Sequence, residues 1–102
     1  MPELTDIGEV IASREMAFIY DDGRKEAAFL KIGRPVECVE HAAWHCPYEL
    51  SIESYKTVHA MVGIDTLQAL ELTMKTLRVE IEFWEKSKKG RFWFLDEEGA
   101  GI

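Results

Sequence analysis

Long apolar runs are missing from this chain, which excludes a helical membrane span. Positive charge is scarce: 12 Lys and Arg stand against 19 Asp and Glu, a net charge of −7. Such a balance repels phosphate, so neither nucleic acid nor an anionic membrane surface is an expected partner. Basic partners, or simple solubility, suit it better. Cysteine is rare, with two in 102 residues, so no disulfide scaffold holds the fold. The first ten residues, MPELTDIGEV, are acidic and lack the basic and apolar regions of a secretory signal. The expected location is therefore cytoplasmic, with both cysteines as thiols. Internal repeats and Pro- or Gly-rich linkers are absent, as are a glycine-rich phosphate loop and a strained nucleophile turn.

What is present describes one globular domain. The length suffices to bury a core, and 47% hydrophobic with 11% aromatic residues excludes a disordered chain. Residues 1–102 form a single domain, with an ordered core over about 11–95 and an acidic tail, DEEGAGI, at 96–102.

The hydrophobic pattern switches once along the chain, from period two to period 3.6. Residues 11–20 and 25–33 flank the turn signal at Asp22 and Gly23 and form a hairpin. A loop at 22–24 sets Phe18 opposite Ala28 and Met16 opposite Leu30, on one apolar face. Residues 44–52 alternate strictly: Trp44, Cys46, Tyr48, Leu50 and Ile52 on one side, His45, Pro47, Glu49 and Ser51 on the other. Pro47 lacks a backbone donor, which implies an edge or a bulge near the start of this strand. A weaker strand follows at 55–62, and a last one at 91–95.

Between them, residues 66–88 read as a helix. Asp65 and Gln68 form its capping box. Leu67, Leu70, Met74, Leu77, Ile81 and Trp84 line one face, and Val79 and Phe83 widen it. That stripe suits a sheet-facing helix; a coiled-coil seam is the alternative, but it covers only about three heptads. Glu71 with Lys75 and Glu82 with Lys86 add i,i+4 pairs, and Gly90 offers a left-handed C′ position. The fold expected is α+β: a two-layer sandwich of a four- to five-stranded antiparallel sheet with one long helix on one face.

Three segments in order, IGRP at 32–35, W-x-C-P-Y at 44–48 and G-x-D-x-L-Q-A-L at 63–70, resemble a small uncharacterised bacterial family, a domain of unknown function. The resemblance spans roughly residues 12–95. It implies a bacterial, single-domain protein and carries over no activity. Cys46 and Pro47 fall within its segments; Cys38, His41 and His45 do not.

Residues 36–48, VECVEHAAWHCPY, hold both cysteines and two of the three histidines. Cys38, His41, His45 and Cys46 are the right types for zinc. Neighbours on a strand point to opposite faces, however, so one ion cannot easily collect both His45 and Cys46. The favoured reading is a buried core thiol at Cys46 beside polar loop residues. A partial zinc or small-ligand site at Cys38, His41 and His45 is the alternative, and redox pairing of Cys38 with Cys46 a third. No catalytic residues, cofactor or metal are assigned. Cys38 with His41, and Ser51 with His59, pair a nucleophile with a base only on paper. His45 and Glu49 stand about 13 Å apart on an extended strand, too far for an acid–base dyad. KSKKGRFWF mixes cations with aromatics, as single-strand nucleic-acid binders do, but reads as a basic helix end before a buried strand.

Ala17 and Ile19, with Trp93 and Leu95, put apolar residues on the sheet face that the single helix cannot cover. Ile19, Trp93 and Leu95 are therefore the candidate partner interface, for another protein or for a second copy in a homodimer. The function expected is non-enzymatic: a protein-binding or assembly module, adaptor or immunity-like.

Overall fold

The computed structural model describes residues 7–102. Seven strands and one helix follow in the order β1 (Val10–Tyr20), β2 (Lys25–Gly33), β3 (Val36–Cys38), β4 (Ala43–Ile52), β5 (Tyr55–Gly63), α1 (Thr66–Lys88), β6 (Gly90–Phe94) and β7 (Glu97–Glu98). A 3₁₀ turn, Val39–His41, joins β3 to β4. The strands form one sheet in which β2 and β3 flank the same side of β4, and β5 flanks the other. Every pairing between strands is antiparallel, and the helix packs chiefly over β4 and β5. The α+β architecture is as expected from the sequence. The sheet is larger than four to five strands because β3 and β7, of three and two residues, are too short to show a period.

β4 pairs with three strands, β2, β3 and β5, and carries much of the floor under the helix. Cys46, Tyr48, Leu50 and Ile52 are buried toward the helix, while His45, Glu49 and Ser51 stay partly exposed on the opposite face. The core closes with Met16, Phe18, Leu30, Ile32, Leu77, Ile81, Trp84 and Phe92. Phe18 meets the Phe92 ring edge-on at 4.9 Å. Pro47 sits where β4 changes neighbours: Tyr48 pairs with Ile32 of β2, and His45 pairs with Val36 of β3. Gly33, Arg34 and Pro35 thus oppose only Cys46 and Pro47, a bulge that leaves proline's missing donor unneeded. The Cys46 thiol donates to the Gly33 carbonyl across it, at 3.8 Å.

The first hairpin differs in detail from the expected register. Met16 pairs with Ala28 and Phe18 with Glu26, and the loop is Asp21, Asp22 and Gly23. Gly23, at φ +93°, takes the left-handed third position that such a loop requires, which moves the loop one residue upstream. The resulting slip of two residues preserves the buried face, because side chains alternate with period two. The last strand ends at Phe94, not at residue 95. Residues 96–102, expected as a tail, fold back on β6: Ala100 is buried and its carbonyl accepts from Arg14 Nη1 at 2.9 Å.

Helix α1 begins as its sequence indicates. Asp65 accepts from the Gln68 amide at 2.7 Å, and Gln68 Oε1 accepts from the Ile64 amide at 2.8 Å. At the other end Lys89, not Gly90, is left-handed, with φ 55°. Gly90 instead opens β6 against Phe18, where a Cβ would lie 2.5 Å from the ring. The buried stripe is also rotated from the expected one. It runs through Ala69, Thr73, Leu77, Ile81 and Trp84, while Leu67, Val79 and Phe83 are exposed. Small residues explain the rotation. A Cβ on Gly63 would lie 2.5 Å from the Ala69 amide, so helix and β5 touch backbone to backbone there. Thr73 is tolerated in the core because its hydroxyl donates to the Ala69 carbonyl at 2.9 Å.

Gly63→Ala is expected to destabilise the fold by about 1–3 kcal/mol through forced separation of helix and strand. Asp65→Ala, which removes only the cap, should cost about 1 kcal/mol. Urea unfolding followed by circular dichroism checks both, and a larger loss for Asp65→Ala would refute the packing account.

Candidate protein-interaction surface

Sheet register places the candidate residues. Trp93, Ala17 and Ala27 form one row across the face that α1 leaves open, and Glu53, in the turn just past β4, reaches the Ala27 end of it. Two alanines in the floor of that row leave a depression between the bulkier side chains. It encloses about 600 Å³, and Ile19, Trp93 and Leu95 all line it. Three residues distant in sequence therefore meet at one site. Its rim carries Glu15, Glu53 and Asp96 against a single Lys25. Glu53 is held in place by accepting from the Ala27 amide at 2.9 Å.

Leu95 reaches the site in an unexpected way. It is not on a strand but in the two-residue turn between β6 and β7, where Phe94 pairs with Glu97. Leu95 and Asp96 both have positive φ, 52° and 62°, the pattern of a type I′ turn. Asn, Asp and Gly are at ease in that conformation; leucine is strained there. Leu95 is nevertheless 79% exposed, so no packing of this chain compensates the strain. An exposed apolar side chain held in a strained turn points to a role outside the core.

The zinc-type residues are distributed differently. His45 lies on the helix-free face between Val36 and Val62, Cys38 ends β3 opposite Ala43, and His41 is exposed on the 3₁₀ turn. Cys46 faces the helix and is buried, and both cysteines are free thiols. Among the described residues, no three His, Cys, Asp or Glu side chains gather in an arrangement able to hold a metal ion. Ser51 and His59 occupy opposite faces of the sheet, since Ser51 pairs with Lys56 and His59 with Tyr48. Glu49 lies between Lys31 and Lys56, at 3.9 and 4.0 Å, as part of a solvated charge pattern.

A second concavity escaped the sequence reading. A cleft of about 490 Å³ runs between α1 and β5, with Tyr55, Thr57 and His59 on the strand side and Val79, Glu80 and Phe83 on the helix side. Glu80 accepts from the Thr57 hydroxyl at 2.8 Å and from the phenol of Tyr48. Burial first, then the charge of Glu80 and the bond to it, push the Tyr48 phenol above its ordinary range. Tyr55 and Trp84 pair at 5.4 Å, and the Lys88 ammonium sits 4.3 Å from the Tyr55 ring centre. Periodicity reveals which residues face a helix, but not that Glu80 would turn inward to a buried tyrosine.

Fold and surfaces together define a small α+β domain with one helix-covered sheet face and one open face bearing an apolar, acid-rimmed depression. No helix among the described residues is long and apolar enough to cross a membrane. Over residues 12–102 the chain matches the family described as a domain of unknown function, DUF6968, and it belongs to that family. No curated protein and no solved structure matches it.

Two outcomes follow from this geometry. Leu95→Asn should raise stability by about 1 kcal/mol, because asparagine accepts the left-handed turn position; a loss in thermal or urea unfolding would contradict the strain. The raised phenol of Tyr48 contributes stability that is complete below the unfolded value near pH 10 and is lost as pH climbs toward the folded one. Urea melts at intervals between pH 9 and 11 should therefore show a flatter alkaline decline for Tyr48→Phe than for the wild type.

Proposed function

We propose that this DUF6968 domain is a non-enzymatic protein-binding or assembly module, adaptor or immunity-like, acting in the cytoplasm of a bacterium. The supporting observation is the convergence of Ile19, Trp93 and Leu95 on one depression of the open sheet face. A tryptophan walling a concave patch beside aliphatic side chains is a common composition of an interface hot spot. The rim decides the kind of partner. Three carboxylates against one ammonium, in a chain of net charge −7, favour a protein that presents an apolar anchor among basic residues. Two free thiols, one of them fully buried, suit a reducing compartment.

Peptides selected from a random displayed library on the wild-type domain provide the test. Binders should be rich in Arg or Lys around an aromatic or aliphatic residue. They should weaken as salt rises, and lose affinity at least about tenfold against Trp93→Lys and Leu95→Asn. Binders indifferent to both substitutions would remove this surface as the docking site.

A further inference from the structure

The two edges of the sheet are treated differently by the fold. On the β6 side, β7 pairs with Phe94, Gly99 bridges to Trp93, and the Gly99 amide donates to the Phe92 carbonyl at 2.7 Å. That edge is covered by the chain's own C-terminal segment. On the other side, β5 pairs only with β4 among the described residues, along all nine of its residues. Its sequence, YKTVHAMVG, holds no proline and one strong charge, Lys56. Sheet edges normally carry protecting charges, prolines or bulges, because an open row of amides and carbonyls pairs readily with another strand.

A second feature lies directly above this edge. Helix α1 runs back along β5, with Ala69 beside Gly63 and Trp84 beside Tyr55. Its flank on the cleft side carries Thr76, Val79 and Phe83, with Val79 68% and Phe83 65% exposed. Lys75 and Lys86, paired with Glu71 and Glu82, border this flank one turn from Val79 and Phe83, and Lys88 lines the cleft over Tyr55. The one acid on this flank, Glu80, is bonded inward to Thr57 and Tyr48. An unpaired strand edge and a helix flank with two exposed apolar side chains thus lie side by side.

We infer that β5 pairs antiparallel with β5 of a second copy of this chain, giving a two-fold dimer with a continuous sheet and α1 packed against its symmetry mate. Pairing about His59 sets Lys56 opposite Val62 and Val58 opposite Ala60 of the second copy, so no lysine or carboxylate meets its like across the seam. Helix spacing agrees with strand spacing. Neighbouring strands lie about 4.8 Å apart, so a helix centred over β4 and β5 stands about 5 Å from the seam. Two such helices would lie about 10 Å apart, a normal packing distance. Val79 and Phe83 of both copies then fill the gap. The seam is roughly 30 Å long and roughly 20 Å deep, on the order of 600 Å² per copy, at the lower end of a standard interface. The net charge of −7 on each copy opposes association, but β5 itself carries no acid, so that repulsion acts away from the seam.

This surface is separate from the depression at Trp93, and one set of variants distinguishes them. Light scattering across 1–100 µM should show the wild type passing from 11.7 kDa to twice that mass. Phe83→Glu and Val79→Lys, both at exposed positions, should keep the monomer's melting temperature and raise the dimer dissociation constant at least about thirtyfold. Trp93→Lys should leave that constant unchanged. Hydrogen exchange of the wild type adds an independent reading: every second amide of β5, those turned away from β4, should become protected as concentration rises. A wild-type chain that stays monomeric at 100 µM would overturn the proposal. So would a dimer that survives Phe83→Glu and is broken by Trp93→Lys, or one whose β5 amides exchange alike at both concentrations.

Discussion

Everything in this domain hangs on β4 having two faces of opposite character. Cys46, Tyr48, Leu50 and Ile52 point one way without interruption, and a pleated chain must then send His45, Glu49 and Ser51 the other way. Such a strand has to be covered on one side, and among the described residues α1 is the only α-helix available to do it. β2 and β5 flank β4 on either side, and their own alternation follows from the register it imposes. Removing that alternation would leave the helix with no apolar floor.

Close contact between α1 and the sheet depends on residues that contribute little hydrophobicity. Gly63, Ala69 and Thr73 let the backbone of the helix approach β5, and that approach decides which flank of α1 faces inward. Once it is decided, Val79 and Phe83 are left outside and Glu80 is brought to Tyr48 and Thr57. The cleft and the exposed helix flank are thus consequences of small residues near the start of the helix. At the opposite edge, folding back of residues 97–102 closes β6 and forces the turn that displays Leu95. One candidate surface lies on the open face over β1, β2 and β6, and the other at the β5 edge, where an open row of backbone groups meets the exposed helix flank.

The chemistry of the histidine and cysteine stretch follows from the same constraint. His45 and Cys46 are consecutive on an extended strand, so one is committed to the open face and the other to the core. Cys46 uses its thiol to bond the Gly33 carbonyl at the bulge, as a small buried side chain with a weak donor. Gly33 and Pro47 share this joint with Ile7, whose carbonyl would lie 2.2 Å from a Cβ at Gly33. The sequence segment that looked richest in reactive groups is therefore largely occupied with joining β2, β3 and β4.

By itself the sequence determined the α+β class, the two faces of β4, the helix with its Asp65 and Gln68 cap, and the turning of Ile19 and Trp93 away from the core residues beside them. Each of these is written in a local repeat or a three-residue spacing, and local geometry leaves one answer. Tertiary structure alone decided the rotation of α1, the left-handed Lys89 in place of Gly90, the turn at Leu95, the return of the C-terminal segment, and the meeting of Glu80 with Tyr48. Those outcomes depend on how closely two backbones can approach and which edge finds a strand to pair with. Such distances arise between residues far apart in the chain, where no periodicity records them.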